Sequence, residues 1–244
     1  MKYSYQDALA FYQIEGAHPG GFALTKLILE REDIGCQTQI LDAGCGTGQT
    51  SAYLVKTFGC NVFAIDAHSE MIKAATGRFT KEKLLVTLSE GSLEELPFPE
   101  NSFDYIIAES STAFTDIETT LAEYFHVLKS GGILINVDMT AEQSLKSQEK
   151  SEIMGFYEMK DILTEDEWLD AFDHAGFEEV DILKANSIME ELEEYIVEEN
   201  EPPPEMLLIN NIDPQIEAII ETHHHLLMTY GEKLGYRVFR VKKP

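Results

Sequence analysis

The chain has 244 residues, 44% of them hydrophobic, enough to bury a sizeable core in one large domain or two small ones. Its 18 basic residues against 44 acidic ones give a formal charge of -26, which repels phosphate backbones and anionic lipid, so no nucleic acid and no membrane surface is expected as a partner. That charge favours cationic ligands in one reading and serves only solubility in the other.

Cys36, Cys45 and Cys60 form no CxxC pair and leave an odd thiol, so neither a disulfide framework nor a zinc site is expected. No apolar run approaches the roughly 20 residues that span a bilayer. The opening MKYSYQDALAFYQ lacks the charged-then-apolar order of a secretion signal, so a cytoplasmic location is expected.

In chain order, FALTKLILE places Phe22, Leu27 and Ile28 at helical spacing, and TQILDA reads as a buried strand. Gln49 to Phe58 carries Ala52, Val55 and Phe58 on one helical stripe that Gly59 stops. NVFAID is a second strand, and Ser69 is a candidate cap for the helix after it. KLLVTLSEG gives a third strand, and FDYIIAES a fourth after the turn-rich LPFPENS. A helix is predicted over Ile117 to Lys129, stopped by Gly131–Gly132, before a fifth strand, ILINVDM. TEDE after Leu163 opens a capped helix through Ala175, and FEEVDILKA reads as a sixth strand. Glutamates 190, 191, 193, 194, 198, 199, 201 and 205 crowd around Pro202–Pro204, a helical pattern runs from Pro214 to Lys233, and YRVFRVKK closes as an alternating strand. Strands separated by helices imply an α/β fold, a largely parallel sheet covered on both faces.

The stretch ILDAGCGTGQT sits where a strand hands over to a helix, at the sheet edge where ligands bind in such folds. Its glycines, Gly44, Gly46 and Gly48, let a ligand approach bare backbone. Their G-x-G-x-G spacing is not the G-x-G-x-x-G of a dinucleotide site, which disfavours a nicotinamide-dependent oxidoreductase, and no lysine follows to make a P-loop. Asp66, closing the second strand, stands where an acid accepts hydrogen bonds from ribose hydroxyls.

ILDAGCGTGQT, VFAID, GSLEELPFPENSFDYIIA and VLKSGGILI together resemble the successive motifs of class I S-adenosylmethionine-dependent methyltransferases, nearest to the small-molecule group related to ubiquinone and menaquinone biosynthesis. LTEDEWLDAFDHAGFEEVDIL and GYRVFRVKKP are similar to the family's last helix and final strands. The resemblance implies a Rossmann-like seven-stranded sheet whose last strand is antiparallel and inserted between the fifth and sixth. It implies a single domain over residues 1–244, with 1–35 covering the cofactor and 187–233 an acidic helical insertion before the last strand, a candidate substrate cap.

By the same resemblance Asp42 and the loop Gly44, Cys45, Gly46 and Gly48 hold the methionine part of S-adenosylmethionine. Asp66 meets its ribose hydroxyls, Ser92 and Leu93 its adenine, and Ala67 is a further expected cofactor-binding residue. Ser92 departs from the aspartate usual in the family, which predicts weaker adenine recognition. Glu109 is expected to face both methionine and substrate. Tyr12, His18, Gly20 and Gly21 belong to the segment that would fold over the cofactor, an ordinary loop being the other reading.

The candidate catalytic residues are Glu109 and, as a general base, His18. His126 reads as a solvated helix residue. His223, His224 and His225 cannot converge on one ion because adjacent helical residues point about 100° apart; Glu221 with His225 has usable spacing, and a solvated or cap-facing helix is the other reading. No metal is expected. Cys45 reads as packing. The glutamate run is a solvated face or a funnel for cationic substrate. The expected reaction is transfer of methyl to a small-molecule acceptor, leaving S-adenosylhomocysteine. A silent nucleoside- or protein-binding module is the non-catalytic alternative.

Overall fold

The structure is a computed structural model that describes residues 3–12, 16, 18–143, 145–191 and 213–244. Each predicted strand forms: β1 Gln39–Ala43, β2 Asn61–Asp66, β3 Val86–Glu90, β4 Phe103–Glu109, β5 Leu128–Ala141, β6 Glu179–Ser187 and β7 Leu234–Lys242. They join in one sheet of order β3-β2-β1-β4-β5-β7-β6. β1 to β5 pair in parallel, while β7 runs antiparallel to both β5 and β6. The order, with the last strand antiparallel and inserted between the fifth and sixth, is the one the resemblance implies.

Period-two alternation splits the strand side chains into two cores. Leu41, Ile65, Ile106 and Leu134 point to one face, against Leu121 and Tyr124 of α5 (Ile117–Val127) and Trp168 and Phe172 of α7 (Glu165–Ala175). Ile40, Val62, Ile107 and Ile135 point to the other, against Leu24 and Ile28 of α2 (Gly21–Leu29) and Leu54 of α3 (Gln49–Phe58). α7 begins at the predicted capping box: the Thr164 hydroxyl accepts the Glu167 N–H, and the Glu167 carboxylate accepts the Thr164 N–H.

Several predicted boundaries move: the last helix ends at Tyr230 rather than Lys233, and the fifth strand runs from Leu128 to Ala141. The fifth helix stops at Val127 rather than Lys129, because the Asn101 and Ser102 N–H groups bond the carbonyls of His126 and Val127 and draw the chain into β5. Gly131 and Gly132 then lie inside a bulged strand, with the β4–β5 register shifting between Phe103 and Tyr105. Ser69 is the first residue of α4 (Ser69–Glu82) rather than its cap; His68 holds the cap position, and its N–H is taken by Asp66.

Three further helices complete the described chain: α1 (Tyr5–Tyr12), α6 (Ser147–Tyr157) and α8 (Pro214–Tyr230). Ala8 of α1 packs against Ile216 and Ile219 of α8, with Phe156 of α6 beside them. Most of the predicted acidic run, glutamates 193 to 205, lies outside the described residues.

Candidate active site

β1, β2 and β4 end side by side, and a cleft of about 300 Å³ opens over their carboxyl ends. Gly44, Cys45, Gly46 and Thr47 form its floor. Gly46 has φ 51°, and a Cβ there would meet nothing within 4 Å, so the peptide lies bare toward the cleft. Gly48 does not line the cleft: at φ 78° it caps α3, and a Cβ would come within 2.6 Å of the Phe79 ring.

Asp66 stands at the rim with both carboxylate oxygens fixed by backbone. The Gly46 N–H donates to one at 2.8 Å and the His68 N–H to the other at 2.8 Å. Burial pushes its pKa up, opposed by those two hydrogen bonds. Each oxygen keeps a lone pair for a ligand hydroxyl.

Asp42 lies deeper and is 4% exposed. The Ser51 hydroxyl donates to it at 2.6 Å. Burial pushes its pKa up to about 7, the Ser51 bond opposing and the charges of Glu109 and Asp66 reinforcing the shift. Cys45 is buried in the floor, and burial raises its thiol pKa well above the ordinary value, so it stays a neutral packing group.

Glu109 and His18, nominated separately from the sequence, meet. Glu109 Oε1 accepts the Thr25 hydroxyl at 2.6 Å and lies 3.5 Å from His18 Nε2, while Oε2 accepts the Thr50 hydroxyl at 2.7 Å. His18 Nδ1 donates to Pro19 O at 3.0 Å, and Nε2 lies 3.1 Å from Thr25 Oγ1. Neither threonine stood out in the sequence. Thr25 left one trace, a hydroxyl on a helix face otherwise filled by Leu24, Ile28 and Leu29.

Next to Glu109 the chain turns through Ser110, at φ 50°, and Ser111, both lining the cleft. Ser111 Oγ donates to Ala43 O at 2.7 Å. The turn is held from below by Asp138, which accepts the N–H groups of Thr112 and Ala113 at 3.1 and 3.4 Å. Burial pushes the pKa of Asp138 up to about 7, opposed by those backbone bonds.

α1 covers the mouth, presenting Tyr5, Gln6 and Leu9 to the cleft, with Asp7 Oδ1 3.1 Å from His68 Nε2. Gly16 and His18 also line it, whereas Tyr12, Gly20 and Gly21 do not. Tyr12 packs beside Ala8 and Ile216, and the two glycines turn the chain into α2. Ala67, Ser92 and Leu93 do line the cleft, and Ser92 Oγ accepts the Glu94 N–H at 3.1 Å.

His223 packs inward, stacked on Tyr5 at 5.0 Å and 2.9 Å from the Tyr157 hydroxyl, and burial lowers its pKa to about 4. His224, His225 and His126 are exposed. Among the described residues no group of three or more His, Cys, Asp or Glu side chains is placed to hold a metal ion, and no helix is long and apolar enough to cross a membrane.

The cleft thus gathers three carboxylates, Asp42, Asp66 and Glu109, with no lysine or arginine among its lining residues. Bare peptide, a rim acid with open lone pairs, and apolar Leu93 and Met71 fit a ligand joining a cationic amino acid or sulfonium to a nucleoside.

A methyltransferase-domain family model matches residues 40–132. The chain is 34% identical over 235 residues to the uncharacterized methyltransferase YodH of Bacillus subtilis (strain 168), covering 96% of this chain and 97% of that protein. A stretch of 105 residues is 36% identical to demethylmenaquinone methyltransferase of Listeria monocytogenes, covering 41% of this chain and 44% of that one. Among solved structures, phosphoethanolamine N-methyltransferase 2 of Haemonchus contortus, in complex with phosphomonomethylethanolamine and S-adenosylhomocysteine, superposes with a TM-score of 0.79 at 20% identity, over 99% of this chain and 60% of that one.

Proposed function

The chain belongs to the S-adenosylmethionine-dependent methyltransferases and transfers methyl to a small-molecule acceptor, and from that premise we propose that the cleft over β1, β2 and β4 is where both reactants meet. The observation that carries the reading is Asp66, bridged by two backbone N–H groups beside bare Gly46, so that its carboxylate is held at the rim of the cleft.

Asp66 would take the ribose hydroxyls, Ala67, Ser92 and Leu93 the adenine end, and Asp42 with Gly44, Cys45 and Gly46 the methionine end. When bound, the cofactor supplies an activated methyl on a good leaving group. The protein's task is then alignment and exclusion of water. Glu109 and His18 line the wall next to Ser110 and Ser111, and an acceptor entering there meets a carboxylate. A proton released by the acceptor would pass to the Glu109 carboxylate, which Thr25 and Thr50 hold in place. α1, with Tyr5, Gln6 and Leu9, keeps solvent off the mouth. The described part of residues 1–35 would thereby cover the cleft through Tyr5, Gln6, Leu9, Gly16 and His18 rather than through Tyr12, Gly20 and Gly21.

Isothermal titration tests the site. S-adenosylmethionine and S-adenosylhomocysteine bind and NAD does not. Asp66→Ala weakens S-adenosylmethionine by about 1–3 kcal/mol, the loss typical of hydrogen bonds to a charged group. Undiminished affinity in the folded variant removes Asp66 from the site.

A further inference from the structure

Asp42, Asp66 and Glu109 put three carboxylates on the cleft, and none of the residues lining it is a lysine or arginine. Of the residues outside the described ones, Lys2 is the single basic one. The imidazoles on the lining, His18 and His68, each lie against a carboxylate, Glu109 at 3.5 Å and Asp7 at 3.1 Å, so neither offers a positive charge without a negative neighbour. Hydroxyl protons beside Glu109 are spent as well. Thr50 gives its proton to Glu109 Oε2, Ser111 to Ala43 O and Thr115 to Thr112 O. Two aromatic rings, Tyr5 and Phe114, share the lining, and aromatic faces attract cations.

We propose that the methyl acceptor is a small amine that presents its ammonium to Glu109 and bears no phosphate or carboxylate, whichever of its atoms takes the methyl. The proposal rests on the cleft being the S-adenosylmethionine site. A phosphate or carboxylate on this wall would face Glu109 with nothing to offset its loss of water, whereas an ammonium finds a partner there. Bound cofactor leaves that partner in demand. Its ammonium and sulfonium are offset in part by its own carboxylate, so it brings one net positive charge to a cleft that keeps Asp66 and Glu109 even where Asp42 holds its proton. Glu109 is the specificity-determining group. Buried Thr25 and Thr50 donate to its two oxygens at 2.6 and 2.7 Å, which fixes the carboxylate on the wall, and its side chain is 11% exposed.

The test needs no knowledge of the acceptor. Nitrogen analogues of S-adenosylmethionine, with an aminopropyl, carboxyethyl or butyl arm in place of the methyl, carry one charge or none into the space before the reacting centre, and calorimetric titration reads their affinities. The aminopropyl arm is expected to bind at least about tenfold tighter than the carboxyethyl arm, with the butyl arm between them. Glu109→Gln narrows that ratio; should the variant not fold, the wild-type ratio against the butyl baseline decides. Equal affinities, or a tighter carboxyethyl arm, overturn the proposal. A ratio unchanged in folded Glu109→Gln shows the charge of the whole molecule at work and overturns it too. So does failure of all three arms where S-adenosylhomocysteine binds, since the wall then admits no acceptor. Failure of S-adenosylhomocysteine itself overturns the cofactor reading, a separate outcome.

Discussion

Asp42 and Asp138 are the two carboxyls that burial pushes up to about 7, and they set a pH dependence of stability whose sign follows directly. Unfolded, an aspartate ionises near 3.9; folded, these two hold their protons to about 7. Between those values the native state binds more protons than the unfolded chain, so their contribution is fully present below about pH 4 and is lost as pH rises through about 7. The ligand-free melting temperature should therefore fall between about pH 5 and 7.5, and Asp138→Asn should flatten that slope in a thermal-shift series. An unchanged slope in the variant would show that Asp138 is ionised in the fold. Asp66 and the glycine loop were legible in the sequence because strand, spacing and terminal acid are local patterns. Thr25 was not, since it meets Glu109 across 84 positions and looks like any helix residue. Asp138 was hidden likewise: its partners Thr112 and Ala113 sit in a turn of a neighbouring strand.

At the scale of the elements, caps and turns decide boundaries. Gly48 starts α3 in a left-handed conformation against Phe79, so Gly48→Ala should lower stability by at least about 1–2 kcal/mol in urea unfolding, from the backbone term alone. Removing the capping hydroxyl of α7 with Thr164→Ala should cost about 0.5–2 kcal/mol by the same measurement. The α7 cap follows a local rule and was readable, whereas Gly48 was read as facing the ligand and instead caps α3. The end of α5 was not readable, because hydrogen bonds from Asn101 and Ser102, far back in the chain, outweigh the rule that a helix runs to its glycine. α1 and α6 escaped notice because each buries little: α1 buries Ala8 against α8, and α6 buries Ile153 and Tyr157 in the main core.

At the scale of the whole molecule, the sheet forms a platform and α1, α6 and α8 a cover, joined over the cleft by Asp7 and His68. A ligand closed in this way should stabilise the fold: S-adenosylmethionine at about 100 times its Kd adds about 2.7 kcal/mol, read as a raised melting temperature. Asp7→Ala should loosen the cover and speed cofactor release in stopped flow, with the sheet's own stability little changed. The strands of the platform were legible, each announcing itself by composition, and the insertion of the last strand followed from the family resemblance. The resemblance named residues 1–35 and 187–233 each as a covering segment but not their contact with each other, which joins elements more than 200 residues apart. One consequence of the topology concerns synthesis on the ribosome. β6 touches the sheet only through β7, and residues 188–233 separate them. At ~5–20 residues per second, a nascent chain spends several seconds with β5 offering an open edge and β6 without a neighbour. That interval is a window for a chaperone to hold the growing chain, and a premature stop codon before Leu234 would make it permanent.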